Sequence, residues 1–215
     1  MNGFQNADGK SILMTMVKRI QENKAYLGEV DGLIGDGDHG MNMNKGFSLF
    51  GTRHMEEEFS FTEGLDALGT ILFSEIGGSM GPIYGTIFMD MASAGEDYET
   101  IGVKELRSML EAGFAGLQEI VEAKVGDKTL VDTLSPAVDA LQKAEEAQQD
   151  MKQALEDMKE AAAAGRDSTK DMVAKYGRSS RLGERSRGVL DAGATSCCII
   201  LTAMADATTA TVSLL

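Results

Sequence analysis

Tryptophan is absent from this chain and proline occurs only twice. Helix breakers are therefore scarce, while Ala, Leu, Met, Glu and Lys, which favour helix, are plentiful. No stretch alternates apolar and polar residues for a convincing length, so no sheet is expected. The two cysteines, Cys197 and Cys198, are adjacent within an apolar run. That spacing suits neither a disulfide framework nor a metal site, and a reducing cytoplasm fits it best. With His39 and His54 as the only histidines, a His-rich metal centre is excluded. The phosphate loop Gly-x-x-x-x-Gly-Lys-Ser/Thr, the zinc-protease signature and Gly-x-Ser-x-Gly are all missing, which excludes those enzyme classes. The N-terminus has no basic start and no apolar core, so a signal peptide is not expected. The longest apolar stretch, around Cys197 to Ala205, is too short to span a bilayer. Positive charge is also scarce: 20 Lys and Arg face 34 Asp and Glu, for a net charge of −14. That balance argues against a nucleic-acid-binding surface and against an anionic membrane as partner.

The 215 residues suffice for one large core, and 43% of them are hydrophobic, which makes the chain globular. Apolar spacing near 3.6 predicts helices over about Ser11–Val30, from near His39 past Phe50, from a Thr62 cap to Ile76, and from Pro82 through Met91. Further helices are predicted over Lys104–Val121, through Leu134, Val138 and Leu141, and over Ala194–Ser213. The charged, alanine-rich stretch from Glu145 to Tyr176 reads as one long helix or two joined near Gly165. Gly95–Gly102 reads as a loop and Gly177–Gly193 as a long polar segment. About eight helices with no linker predict one all-α bundle over residues 1–215.

One stretch concentrates the chemistry. Asp31, Asp36 and Asp38 fall within eight residues, interleaved with glycines and followed by His39, Asn42 and Asn44. Asp36 and Asp38, at alternate positions of an extended loop, point the same way, and Asp31 on the last turn of a helix can face the same space. A solvated Asp/Gly turn is the ordinary reading, and a site for a hard cation the sharper one. The calcium-loop pattern fails: counted from Asp31, its glycine position is Asp36 and its glutamate position is Asn42. A nucleotide-bound Mg²⁺ fits better, since that ion is held by one or two carboxylates plus phosphates.

Glycine-rich breaks also occur at Gly77–Gly81, Gly126–Thr129 and Gly177–Gly193. In an up-and-down bundle, breaks separated by two helices lie at the same end, so all four breaks meet at one rim if the charged stretch is a single helix. Gly77-Gly-Ser-Met-Gly81 before a helix start is suited to phosphate, although it is equally a plain terminator. Lys175, Arg178, Arg181, Arg185 and Arg187 form a basic island that is either a solvated loop or a phosphate contact. Nothing local separates Lys128 from a solvated surface lysine.

Together, Leu33-Ile-Gly-Asp-Gly-Asp-His-Gly-Met-Asn-Met43, Gly77-Gly-Ser-Met-Gly-Pro-Ile-Tyr84, Gly126-Asp-Lys-Thr129 and Gly177-Arg-Ser-Ser-Arg-Leu-Gly-Glu-Arg-Ser186 with Asp191-Ala-Gly-Ala-Thr-Ser196 resemble the nucleotide-binding subunit L of dihydroxyacetone kinase. The resemblance covers nearly the whole chain, in order. It implies an eight-helix antiparallel barrel with ADP or ATP and two Mg²⁺ ions at one rim. Carried over residue by residue, it makes Asp31, Asp36 and Asp38 the Mg²⁺ ligands and His39 and Asn42 nucleotide contacts. Gly78 and Ser79 match the phosphate turn, and Leu130 the apolar residue at the adenine. Arg178 matches a phosphate contact with a catalytic role, and Asp191 and Gly193 a further nucleotide contact. The chain departs from the pattern at Met80, where the family often has a second small polar residue, and more mildly at Ala192.

The resemblance also implies divided labour. A separate subunit K holds the ketone, and the phosphoryl group passes to it from the nucleotide. In one branch ADP stays bound and is rephosphorylated by a phosphotransferase-system subunit, and in another ATP is used and exchanged. The same machinery serving a four-carbon ketose, or a helical regulatory module without turnover, are the alternative readings. The sequence leaves monomer and homodimer both open.

Overall fold

The computed structural model describes residues 3–212, so Ser213 of the last predicted helix lies outside the described residues. Nine α-helices occur among them: α1 (Lys10–Glu22), α2 (Lys24–Ile34), α3 (His39–Arg53), α4 (Phe61–Glu75), α5 (Met80–Gly95), α6 (Val103–Ile120), α7 (Val131–Glu146), α8 (Met151–Ser168) and α9 (Ala192–Val212). From α3 onward each helix packs on the next; α9 returns to α1, and α1 packs on α3. Eight helices thus close a ring, with α2 lying against α3 and α9. The ring is filled by one continuous apolar cluster that includes Leu13, Met16, Phe47, Phe50, Leu68, Phe88, Leu106, Leu141, Met158 and Leu201.

Most helix faces are those the apolar spacing predicts; the differences are one internal break and several ends, with Met172 and Val173 lying beyond the last turn of α8. The first predicted helix is two, broken at Asn23, whose side chain donates to the Arg19 carbonyl at 2.8 Å. Such local side-chain bonds offer the backbone an alternative to the helical ladder. The cap of α4 is Ser60, not Thr62: its hydroxyl accepts the Glu63 amide at 3.2 Å while the Glu63 carboxylate accepts the Ser60 amide at 2.7 Å. Ser60→Ala should therefore cost about 1 kcal/mol and lower the melting temperature by about 2–4 °C, read by thermal circular dichroism. The α5 helix begins two residues before Pro82, which still falls where no intrahelical N–H bond is required. Helix α8 runs through Gly165 as one element and ends at Ser168, well short of Tyr176.

Two strands too short to show a period also form. β1 (Gly3–Gln5) pairs antiparallel with β2 (Thr100–Gly102), with Phe4 opposite Ile101. Phe4 is fully buried and meets Phe61 edge to face at 5.3 Å, so the strand pins the N-terminal segment to the barrel.

Helix α9 spans 21 residues and is long and apolar enough by composition to cross a bilayer, more than its Cys197–Ala205 portion suggested. It is packed against α1, α7 and α8, and 61% of its most apolar window is buried within the fold. Thr195 and Ser196 are fully buried on it, as expected of a core helix with polar partners.

Candidate functional site at the barrel rim

The four glycine-rich breaks converge. Connections α2–α3, α4–α5, α6–α7 and α8–α9 all contribute to one cavity of about 510 Å³. Its lining includes all eleven residues that the family resemblance assigns, whereas Asn44, Lys175, Arg181, Arg185 and Arg187 do not line it. Asp31, Asp36 and Asp38 come from the first connection, with His39 and Asn42 on the first turn of α3. Gly78 and Ser79 stand before α5, Leu130 before α7, Arg178 in the long segment, and Asp191 and Gly193 at the start of α9.

One oxygen from each of Asp31, Asp36 and Asp38 lies within 4.8 Å of the other two. Asp31 reaches this position from the last turn of α2, and its Oδ2 accepts the His39 backbone N–H at 3.3 Å. A Cβ on Gly35 would stand 2.3 Å from Asp31 Oδ1 and 2.9 Å from the Asp31 carbonyl oxygen, so any larger residue here would push the Asp31 carboxylate from its place. Opposite, the Arg178 guanidinium contacts the Asp36 carboxylate directly. Arg178 follows Gly177, whose φ of 70° favours glycine, and opens a 3-10 stretch ending at Ser186. Three acidic side chains against one guanidinium leave a negative surplus, and the donors are all oxygen. The set therefore suits a hard divalent cation such as Mg²⁺.

His39 is buried, and its Nε2 lies 2.9 Å from Ser196 Oγ. Ser196 in turn lies 2.7 Å from the Tyr84 hydroxyl, and both hydroxyls reach the Gly193 carbonyl. Burial pulls the His39 pKa down to about 4, against the opposing charge of Asp31, so the imidazole is neutral at pH 7 and acts as a hydrogen-bonding group. Asp191 accepts the Ala194 amide at 2.8 Å and caps α9. Desolvation pushes its pKa up to about 6, countered by that amide and by Lys128.

At the α4–α5 connection Ser79 is the residue before α5, and its hydroxyl is not spent on a cap bond. Met80 also lines the cavity, where a small polar residue was expected to be the rule. Ile120, Val121, Ala123 and Leu130 give one side of the cavity an apolar wall. The sequence reading missed that wall apart from Leu130, and it also missed Ser196, Tyr84 and Lys128. Only the neighbourhood of Ile120–Ala123 to a helix end at the shared rim could have flagged the wall.

With this geometry in view, the chain's relationships are informative. The DAK2 domain profile matches residues 33–206. The chain belongs to the DAK2-domain family and, within it, to the DhaL subunits. The PEP-dependent dihydroxyacetone kinase 1 ADP-binding subunit DhaL of Listeria innocua is 40% identical, over 87% of this chain and 89% of that protein. The corresponding subunit of Escherichia coli is 37% identical, over 80% of this chain and 82% of that protein. Among solved structures, the dihydroxyacetone kinase from C. freundii in complex with AMP-PNP and Mg²⁺ superposes with a TM-score of 0.71 at 21% identity. It covers 95% of this chain and 34% of the longer protein, and the likeness establishes the shared fold.

Proposed function

We propose that this chain is the Mg²⁺-nucleotide subunit of a dihydroxyacetone-type kinase, passing a phosphoryl group to a small ketose held on a partner subunit K. The observation that carries the reading is the convergence of four separate breaks on one cavity, with three carboxylates facing an arginine at its mouth. On this reading Asp31, Asp36 and Asp38 hold Mg²⁺, and two ions are expected. When bound, Mg²⁺ offsets phosphate charge and orients the phosphates. The chain's own residues do the rest. Gly78 and Ser79 offer the start of α5 to phosphate, and His39 and Asn42 supply neutral hydrogen bonds. Leu130 and the apolar wall take the base, and Asp191 and Gly193 give a further nucleotide contact. Arg178 neutralises charge that develops during transfer.

Kinship with PEP-dependent, ADP-binding subunits supports the branch in which ADP stays bound and a phosphotransferase-system subunit recharges it. The reading takes residues 1–215 as one such domain acting in the cytoplasm. It leaves no role for nucleic acid or membrane, and a homodimer is compatible with it.

The family resemblance places the ketone on subunit K and assigns no residue of this chain to capture it, so the chain should show no turnover with ATP and dihydroxyacetone on its own. Adding a subunit K should bring the activity. Comparable turnover by the purified chain alone, or silence with a functional subunit K and charged nucleotide, would overturn the assignment. Native mass spectrometry of the purified protein should show ADP retained, and a nucleotide-free spectrum would instead favour the exchanging branch.

A further inference from the structure

Lys128 is a lysine side chain buried at the cavity wall, 1% exposed. Its backbone has φ of 63°, a left-handed conformation that non-glycine residues adopt at a cost and that persists only where the surroundings fix it. Its Nζ donates to the Thr169 carbonyl at 2.5 Å and to the Val189 carbonyl at 2.5 Å. Those two carbonyls flank a single excursion of the chain, residues 170–188, which leaves the end of α8 and returns to the start of α9. Arg178 rides on that excursion. The preceding residue, Asp127, grips it as well: its carbonyl accepts the Lys175 amide at 3.2 Å and its carboxylate accepts Lys175 Nζ at 2.5 Å, three residues before Arg178.

Apolar anchoring of this lobe is thin. Between 170 and 188 only Ala174 and Ser186 are buried, so polar bonds hold the lobe in place. The turn that makes them is itself rigid, because the buried Asp132 carboxylate accepts the Gly126 amide at 2.6 Å and the Thr129 amide at 2.8 Å. A largely buried ammonium group must spend its donors on fixed acceptors. Here it joins the two ends of the lobe across its base.

We propose that Lys128 is a positioning residue: it clips the base of the 170–188 lobe shut and thereby fixes where Arg178 stands over the cavity. The clip is a property of the chain itself, whereas its consequence for phosphoryl transfer rests on the nucleotide-subunit reading. Burial lowers the Lys128 pKa, and the Asp191 carboxylate opposes that shift. Removing the ammonium leaves the Val189 carbonyl without a donor and the Thr169 carbonyl with the Met172 amide alone. The base is then held mainly by the Gly188 amide on the Lys170 carbonyl at 2.7 Å, and the lobe is freer to sample other placements of Arg178.

The test is hydrogen exchange by mass spectrometry on the full, nucleotide-free chain. Lys128→Met keeps the stem and removes the donors. It should speed exchange in peptides over 169–190 by about ten- to a hundred-fold, the size expected when hydrogen bonds to a charged group are lost. Peptides from α4, α5 and the middle of α9 should stay within about two-fold. With subunit K, single-turnover transfer should fall by at least about ten-fold while the Mg²⁺-ADP dissociation constant stays within about three-fold, the split expected of a residue that acts on transfer through Arg178.

Thr169→Val is the second variant. It keeps Lys128 and removes the hydroxyl that accepts the Asp191 amide at 3.0 Å and donates to the Arg166 carbonyl at 2.6 Å. It loosens the same base and should reproduce the pattern with smaller amplitude, and it carries the test if Lys128→Met does not fold. Unchanged lobe exchange would overturn the proposal, as would a rise spread evenly through the core, or transfer that stays at the wild-type rate in a loosened lobe. Should wild type fail to bind Mg²⁺-ADP while the lobe still loosens selectively in both variants, the clip stands and the nucleotide reading falls.

Discussion

Replacing Asp31, Asp36 and Asp38 together by Asn should abolish Mg²⁺-dependent nucleotide binding and leave the helical fold intact. The three carboxylates offer oxygens within 4.8 Å of one another, and Asp36 already draws the Arg178 guanidinium to itself. Asn keeps the shape and a neutral acceptor but removes the charge that offsets a divalent ion. Residues that merely support a metal ligand change affinity by about 10–100-fold, so losing a ligand should cost at least the upper end of that range. Single Asn variants should each weaken binding markedly. Stability should move little or rise, because like charges held together without a cation repel one another. Calorimetric titration beside a thermal melt separates the two effects. Full-strength Mg²⁺-ADP binding by a folded triple variant would remove the metal assignment.

Arg178→Lys should keep much of the nucleotide affinity and lose most of the transfer rate. On the proposed reading, bound Mg²⁺ offsets the phosphate charge of ADP, so the guanidinium should not be needed for ground-state binding. During transfer, charge grows on the bridging and equatorial oxygens, where a fixed planar fork counts for more. Lysine brings one flexible point charge and cannot reproduce the fork. Loss of a donor used mainly in the transition state lowers rates by about 10²–10³-fold. Arg181→Lys is the control, as it lies on the same 3-10 stretch but does not line the cavity. Near-wild-type single-turnover rates for both variants would leave Arg178 with no catalytic role.

Much of this architecture can be read from the sequence because it depends on period and punctuation. Helices α3 through α7 follow from apolar residues at one-face spacing, and glycine-rich breaks two helices apart had to share an end. The convergence of the four breaks on one cavity follows from that counting, whereas Asn42, Leu130, Asp191 and Gly193 are assigned a role only through the family resemblance. What stayed hidden depends on tertiary partners. The break at Asn23 turns on one side-chain hydrogen bond, which no periodicity reports. The β1–β2 pair spans three residues a side, too few to alternate, and its partners are far apart in the chain. Ser60 and Thr62 are both plausible caps, and only the reciprocal bond with Glu63 decides between them. Lys128 reads as surface because lysine is rarely buried, and its acceptors are backbone carbonyls 41 and 61 residues away. Ser196 and Tyr84 pass for core polar residues until His39 is seen beside Ser196.

The central claim is that this rim holds a nucleotide through a cation bridged to the aspartates. Titration of ADP into nucleotide-free protein by calorimetry, with Mg²⁺ and again with excess chelator, tests it most directly. Saturable one-to-one binding that collapses on chelation is the result the account predicts. No binding in Mg²⁺, or binding equally tight in chelator, would contradict it.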